Sequence, residues 1–218
     1  MTRTILRAFQ SAPAEAELIG RILAGYGELE MEFANCLAAT LGQHKHDHRT
    51  AIRTLFRVRG EDSRILIGDA IMRARYTDVG LEDAYNEMLG AIRYCKSIRN
   101  QYAHCHWLFE KNKGLFFTRA DKPALSAIGA LSFTFRHIGV PVLLKQEEYF
   151  CYTDDWLSYL QWDYLKRVRK ERLPSIPVFE APKIIPQPPR HSLPGTYTPL
   201  HTDQDDEPLP TELSPEDH

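Results

Sequence analysis

The fifteen residues Arg93–Trp107 read RYCKSIRNQYAHCHW, and the rest of the chain is interpreted outward from them. Their apolar spacing predicts the end of a long amphipathic helix that begins near Leu81. Its last turn carries a permanent cation, an amide and a titratable imidazole, at Arg99, Asn100 and His104. On an ideal helix Asn100 and His104 are i,i+4 neighbours, and Arg99 lies about 140° of arc from His104. A long arginine side chain spans that arc, so the three groups can face one small polar target such as a phosphate.

This segment resembles the signature of the HEPN superfamily (higher eukaryotes and prokaryotes nucleotide-binding). The resemblance rests on Arg99-Asn100-Gln101-Tyr102-Ala103-His104, an arginine with an Asn directly after it and a histidine after four intervening residues. It extends over about residues 14 to 172. The resemblance implies a mainly α fold, a HEPN-like helical bundle, and metal-independent endoribonuclease activity on single-stranded RNA. No cofactor is implied, and the products would carry 2′,3′-cyclic phosphate and 5′-hydroxyl ends.

The resemblance also implies a role for each site residue. Arg99 would hold the phosphate, Asn100 would orient His104 or the phosphate, and His104 would move protons. Glu30, an acid on an early helix, and Tyr102, inside the motif, are auxiliary candidates. A homodimer would bring two copies of the motif to one cleft. The family context suggests a toxin or defence component, with an antitoxin or nucleotidyltransferase partner.

Other interpretations of the same residues stay open. Arg99 has a structural interpretation as a salt bridge to the first helix, and His104 as a hydrogen-bonded packing residue. At the level of the whole chain, the alternatives are a non-catalytic helical module that binds RNA or a protein, and a purely structural bundle.

Composition limits the class of protein. A chain of 218 residues with 43% hydrophobic and 26% charged residues is typical of a globular protein with one sizeable core. No apolar run reaches the roughly 20 residues needed to cross a bilayer, and the N-terminus lacks the apolar region of a signal peptide. The four cysteines have no CxxC spacing. We therefore expect a cytoplasmic protein with reduced thiols and no membrane partner.

Charge is unevenly distributed along the chain. Residues 1–172 carry a net charge of +4 and residues 173–218 a net charge of −6. A mildly basic body permits an RNA partner. Arg53, Arg57 and Lys96 are candidates for contacts with the RNA backbone, where each phosphate contact adds salt-dependent affinity. The alternative is a solvated basic face that pairs with acidic side chains.

The apolar period predicts four helical regions, near 14–41, 50–76, 81–107 and 146–172, the second with a break at Gly60. Ser11 and Pro13 suit the start of the first helix, and Gly42 its end. Between the third and fourth helices we expect a small antiparallel sheet near 107–137. Its hairpin turn is at 111–114, and its third strand spans 131–137. Aromatic residues on more than one face of the last helix suggest contact with a second subunit as well as the core.

Two segments stand apart from the helices. Eleven of the fourteen prolines lie in residues 173–218, so we expect a domain over 1–173 and a disordered, acidic tail over 174–218. Within the tail, Pro186–Arg190 (PQPPR) has the composition of a polyproline ligand for an aromatic groove, although a passive tail is the favoured interpretation. The loop with His44, His46 and His48 suggests either a solvated loop or, less favoured, a metal site.

Overall fold

Helices dominate the architecture, which a computed structural model describes for residues 6–42, 47–119, 133–168 and 179–192. Six helices and one three-stranded antiparallel sheet lie in these ranges. The helices are α1 Arg7–Ser11, α2 Pro13–Leu41, α3 His48–Phe56, α4 Glu61–Asp78, α5 Glu82–Ala103 and α6 Val140–Val168. The strands are β1 His106–Glu110, β2 Gly114–Thr118 and β3 Arg136–Ile138.

The core lies where α2, α5 and α6 pack together, with α3 packed against α2, and α4 packed against both α2 and α5. Helices α2 and α6 each have 29 residues, and their packing against each other is the most extensive in the bundle. The predicted first helix is confirmed, with Pro13 in its first turn and Gly42 as its C-cap. The expectation that Ser11 caps it is wrong, because Ser11 ends the short α1 and Ala12 occupies the N-cap position without a side-chain bond.

The second helical region is broken at the predicted place. Helix α3 ends at Phe56 and α4 begins at Glu61, after Gly60, whose φ of 88° lies in the left-handed region that favours glycine. Helix α4 approaches α2 closely at Gly68. A Cβ built there would lie 2.4 Å from Phe33, so only glycine allows this contact.

The third helix is shorter than predicted. It ends at Ala103 instead of Trp107, because His106 and Trp107 belong to β1. The Trp107 ring packs near Tyr102 and Phe117 and sits opposite Phe117 in the β1–β2 register. This packing draws the chain out of the helix and into the sheet at the end of the bundle.

The predicted sheet is present, with strand order β1-β2-β3. Its hairpin turns through Asn112 and Gly114, both at positive φ as expected for such a turn. The third strand was predicted over 131–137, but it spans only Arg136–Ile138. Phe133 and Phe135 precede it as exposed residues, and positions 131 and 132 lie outside the described residues.

Helix α6 begins at Val140, six residues before the predicted start. Pro141 lies in its first turn, where a missing N–H costs nothing, and this signal was overlooked. Residues 169–172 of the predicted helix lie outside the described residues.

Residues 179–192, which we call the docked segment, correct the expectation of a structureless tail. They form no helix or strand, yet they follow the groove between α5 and α6 in the direction opposite to α6. Phe179 stacks on Trp162, and the Pro189 carbonyl accepts a hydrogen bond from Gln146. Because proline already restricts the unfolded chain, an extended proline-rich segment loses less conformational entropy when it becomes ordered. The prediction of a structureless tail, which was made from composition, did not include this effect. The rest of the tail lies outside the described residues.

The docked segment also covers aromatic residues on the second face of α6. Tyr149, Tyr152 and Trp156 are buried within this one chain, and the docked segment lies close to the first two at Gln187 and Ile185. The second aromatic face, which suggested a contact with another subunit, is therefore occupied by the chain's own residues.

Two further expectations concern cysteines and histidines. All four cysteines are free, and Cys36 and Cys95 are buried. His44 and His46 lie outside the described residues, whereas His48 begins α3 and contacts the Asn35 side chain. Among the residues described, none of the helices combines the length and the apolar composition needed to cross a lipid bilayer.

Candidate functional site

The last two turns of α5 carry the predicted site. One side of this helix is buried in the bundle through Ile98, Gln101 and Tyr102. Arg99 and Asn100 are half-buried on the neighbouring side, and His104 is exposed at the helix end. The helix therefore presents its polar residues at the edge of the bundle, where they can meet a ligand.

Arg99 is held by three groups. Its Nη1 lies 2.7 Å from Oε1 of Glu61, the first residue of α4, and donates to Oδ1 of Asn100 at 2.8 Å. The guanidinium also lies over the ring of Tyr26, 5.9 Å from its centroid. The Arg99 side chain remains 30% exposed and that of Glu61 17%. Arg99 is thus fixed in place and partly open to solvent, and its charge is compensated by Glu61.

Arg99 forms a salt bridge, but not with the helix that the structural interpretation of the sequence predicted. That alternative placed the partner acid on the first helix, α2, whereas the partner is Glu61 on α4. The acidic pair Glu61-Asp62 in the first turn of α4 is a helix-start signal that the sequence shows. The pairing of these acids with α5 was not predicted, because no local sequence pattern indicates which helices pack against each other.

His104 occupies the C-cap of α5 with φ −125° and ψ 32°, outside the helical region. It makes no hydrogen bond or ion pair with any other residue that the structure describes. Asn100 bonds to Arg99 rather than to His104. The predicted i,i+4 neighbours therefore do not form a direct bond. The imidazole is accessible at the helix end, one turn after an arginine and an amide that bond to each other.

Glu30 lies close to this group without contacting Arg99. Its Oε1 accepts from Nη1 of Arg64 at 2.7 Å. Tyr26, one turn earlier on α2, lies near both ion pairs, Glu30–Arg64 and Glu61–Arg99. Burial raises the pKa of its hydroxyl, and the nearby Glu30 and Glu61 charges raise it further. Tyr26, Glu61 and Arg64 are site neighbours that sequence reasoning missed. The auxiliary candidate Glu30 thus belongs to the same cluster but pairs with a different arginine.

A small cavity lies beside this cluster. Its volume is about 10 Å³, enough for roughly one water molecule. It is lined by Tyr26, Glu30, Phe33, Leu55, Phe56, Arg64, Ile65 and Ile92. A ligand of nucleotide size cannot enter it, so a substrate that binds at this cluster would have to bind on the surface.

Tyr102, the second auxiliary candidate, belongs to the core. It is 3% exposed, and its hydroxyl donates to Oε1 of Gln146 at 2.6 Å. Burial raises the pKa of this hydroxyl. Tyr102 therefore joins α5 to α6 and does not face the solvent with His104.

The three candidates for RNA-backbone contacts divide into two kinds. Arg53 on α3 and Arg57 at its C-cap are exposed and form no ion pair with another residue in the described ranges. Lys96 is largely buried by its contacts and is ion-paired with Asp62. Only the two arginines are therefore free to contact a phosphate without first breaking an existing pair.

Comparison of the chain with protein-family models, with curated proteins and with solved structures finds no match.

Proposed function

We propose that this chain is a HEPN-type endoribonuclease that cleaves single-stranded RNA without a divalent metal. The observation that carries the proposal is the arrangement at the end of α5. There an accessible His104 follows, just over one turn later, an arginine that Glu61 and Asn100 hold in place. This arrangement supplies the two functions that the reaction needs, a proton carrier and a cation for the phosphate.

In the proposed reaction the RNA 2′-hydroxyl attacks the adjacent phosphorus. The bond from O2′ to phosphorus forms, the bond from phosphorus to O5′ breaks, and a 2′,3′-cyclic phosphate and a 5′-hydroxyl result. One proton leaves O2′ and another reaches O5′. An imidazole titrates near neutral pH and can serve as either base or acid, which typically contributes 10²–10⁴-fold, roughly, to the rate. Two His104 side chains, one from each copy in a homodimer, would divide these two roles.

Arg99 would stabilise the negative charge that develops on the phosphate oxygens. Because its contacts to Glu61 and Asn100 restrain it, little side-chain entropy is lost when the phosphate binds. The Asn100 amide uses Oδ1 on Arg99, so its Nδ2 is the group left to donate to the phosphate or to His104.

A second candidate function is a non-catalytic helical module that binds RNA or a protein. The Arg99–Glu61 ion pair favours it, since a phosphate must compete with a carboxylate that is already 2.7 Å away. The absence of a bond between His104 and Asn100 among the described residues points the same way. The two functions differ in one measurable respect, which is whether bound RNA is cut.

The decisive experiment incubates wild type, Arg99→Ala and His104→Ala with single-stranded RNA in EDTA. The products are identified by their ends. His106→Ala is a matched control, because this exposed histidine lies two residues further on in β1. We expect cyclic-phosphate products from wild type and His106→Ala, and a loss of at least about 10²-fold in each site variant.

Circular dichroism of each variant checks that α5 is intact. Equal cleavage by all four proteins would contradict the proposed site. RNA binding without cleavage by the wild type would support the binding module instead. As a toxin or defence nuclease, whose partner would be an antitoxin or a nucleotidyltransferase, the wild type would also arrest growth on expression, whereas His104→Ala would not.

A further inference from the structure

Three consecutive carbonyl groups of the docked segment are bound by side chains of the bundle. The Pro188 carbonyl accepts from the Tyr94 hydroxyl, that of Pro189 from Gln146 Nε2 at 2.8 Å, and that of Arg190 from Gln101 Nε2 at 2.7 Å. The donors lie on two helices, α5 and α6, that line one groove. All three bonds involve backbone oxygens, so they depend on the course of the main chain and not on the side chains of the segment.

Two of the three donors are amides that are buried when the segment is in place. Gln146 is fully buried and Gln101 is 6% exposed. The Gln146 amide oxygen is already used by the Tyr102 hydroxyl, so its N–H₂ is oriented toward the segment. A buried amide without a partner is costly. While the segment covers these two glutamines, its carbonyls supply the acceptors that their amides need.

Aromatic rings complete the groove. The Arg190 guanidinium lies 5.6 Å from the centroid of the Tyr94 ring, and Phe179 stacks on Trp162 with the ring centroids 6.3 Å apart. Pro188 is buried between these ends. Aromatic rings with hydrogen-bond donors between them are the usual means by which proteins bind proline-rich chains.

The course of the segment fits a proline-rich conformation. From Trp162 to Gln146, α6 rises about 24 Å. The docked segment covers this distance from Phe179 to Pro189, about 2.4 Å per residue, compared with 1.5 Å in an α-helix and 3.1 Å in polyproline II. The segment is therefore mostly extended, and an extended proline-rich chain has unpaired carbonyls available for the groove.

We propose that the groove between α5 and α6 is a recognition site for an extended proline-rich peptide of another polypeptide, containing Pro-Pro-Arg. The docked segment is its resident ligand and is displaced when that partner binds. The groove consists of Tyr94, Gln101, Gln146, Tyr149, Tyr152 and Trp162. This site is independent of Arg99 and His104, and the proposal stands whether or not the chain cleaves RNA.

The test uses the full chain and a fluorescent peptide with the sequence of residues 183–192. Pro188→Asp in the protein places a charge at a buried position and should release the resident segment. We expect the peptide to bind this variant at least about 10²-fold more tightly than wild type, because a tethered segment competes at millimolar effective concentration. The same peptide carrying aspartate at the position of Pro188 is the matched control and should not bind.

A substitution in the groove tests whether hydrogen bonds to the carbonyls of the peptide contribute to its binding. Tyr94→Phe, added to the Pro188→Asp protein, keeps the ring and removes the hydroxyl that donates to the segment. We expect this substitution to weaken peptide binding by about 3- to 10-fold, the usual loss for one hydrogen bond. Circular dichroism and thermal melting establish that each variant is folded.

A second measurement needs no variant. In wild type the Ser192 amide donates to the His137 carbonyl at 3.0 Å and should exchange slowly with solvent deuterium. Millimolar peptide should accelerate that exchange by displacing the segment, and the control peptide should not. The proposal is overturned if neither the folded Pro188→Asp protein nor wild type responds to the peptide, or if both peptides act alike.

Discussion

Arg99 lies between an acid that compensates its charge and an aromatic ring that supports it. Glu61 occupies Nη1 at 2.7 Å, and the Tyr26 ring lies beneath the guanidinium. In the proposed function, a phosphate that binds Arg99 must compete with Glu61. Glu61 is therefore the residue expected to set how strongly the proposed site binds RNA.

We predict that Glu61→Gln strengthens RNA binding by about two- to fivefold, because a partly exposed ion pair is worth at most about 1 kcal/mol. Glu82→Gln is the matched control, since Glu82 also lies in the first turn of a helix but does not contact Arg99. Binding is measured by fluorescence anisotropy with 2′-O-methyl RNA, which lacks the attacking hydroxyl. An unchanged affinity in Glu61→Gln would show that Glu61 does not limit the access of phosphate to Arg99.

Helix α4 illustrates how one residue sets the distance between two elements. Gly68 faces Phe33 of α2, and an added Cβ would lie 2.4 Å from that ring. Gly90, on the exposed side of α5, has nothing within 4 Å of such a Cβ. The same substitution therefore has opposite consequences at the two positions.

We predict that Gly68→Ala lowers the free energy of unfolding by about 1–2 kcal/mol, because overpacking outweighs the gain in helix propensity. Gly90→Ala should raise it by about 0.5–1 kcal/mol. Urea denaturation followed by circular dichroism measures both. Stabilisation by both substitutions would mean that α2 and α4 separate easily.

A second contact between elements is electrostatic. Asp154 on α6 faces the acidic side chains Glu28 and Glu32 of α2. Burial, Glu32, the neighbouring Asp155 and Glu28 all raise the pKa of the Asp154 carboxyl. A carboxyl with a raised pKa in the folded state favours folding when it is protonated. Its charge therefore reduces stability at neutral pH, and this penalty disappears as the pH falls through the folded-state pKa toward the ordinary value near 3.8.

We predict that Asp154→Asn stabilises the protein at pH 7 by about 0.2–1 kcal/mol, the usual range for one partly exposed charge interaction. The gain should shrink at pH 4, because the raised pKa of wild-type Asp154 lets more of it take up a proton there than at pH 7, and it should also shrink in 1 M salt. Thermal melting of both proteins at the two pH values is the measurement. A gain that is the same at both pH values would assign the effect to packing.

At the scale of the whole molecule, the proposed chemistry requires a second copy of the chain. One chain carries one His104, and the reaction needs both a base and an acid. We predict a homodimer that brings the two copies of Arg99 and His104 to one cleft. Sedimentation at about 50 μM should show a species of twice the chain mass. Sedimentation as a monomer at this concentration would contradict both the dimer and the division of roles between two histidines.

The sequence by itself determined most of the local structure. The 3.6-residue apolar period predicted α2, the pair α3 and α4 with their break at Gly60, and most of α5. The 111–114 turn was predicted from its glycine. These features depend on side-chain periodicity and backbone restrictions that act within a few residues, so they can be read without knowing the fold. The accessible position of Arg99 and His104 near a helix end also follows from the apolar period of α5.

Only the tertiary structure decided which groups meet. Arg99 pairs with Glu61 of α4, Glu30 with Arg64, and Tyr102 with Gln146, and in each case the partner is 34 to 44 residues away in the chain. The end of α5 at Ala103 depends on Trp107 packing against β2. Residues 179–192 look unstructured by composition, yet Gln101 and Gln146 bind their carbonyls. Hydrogen bonds and charge pairs between distant elements depend on how the helices are arranged, and no local pattern specifies that arrangement.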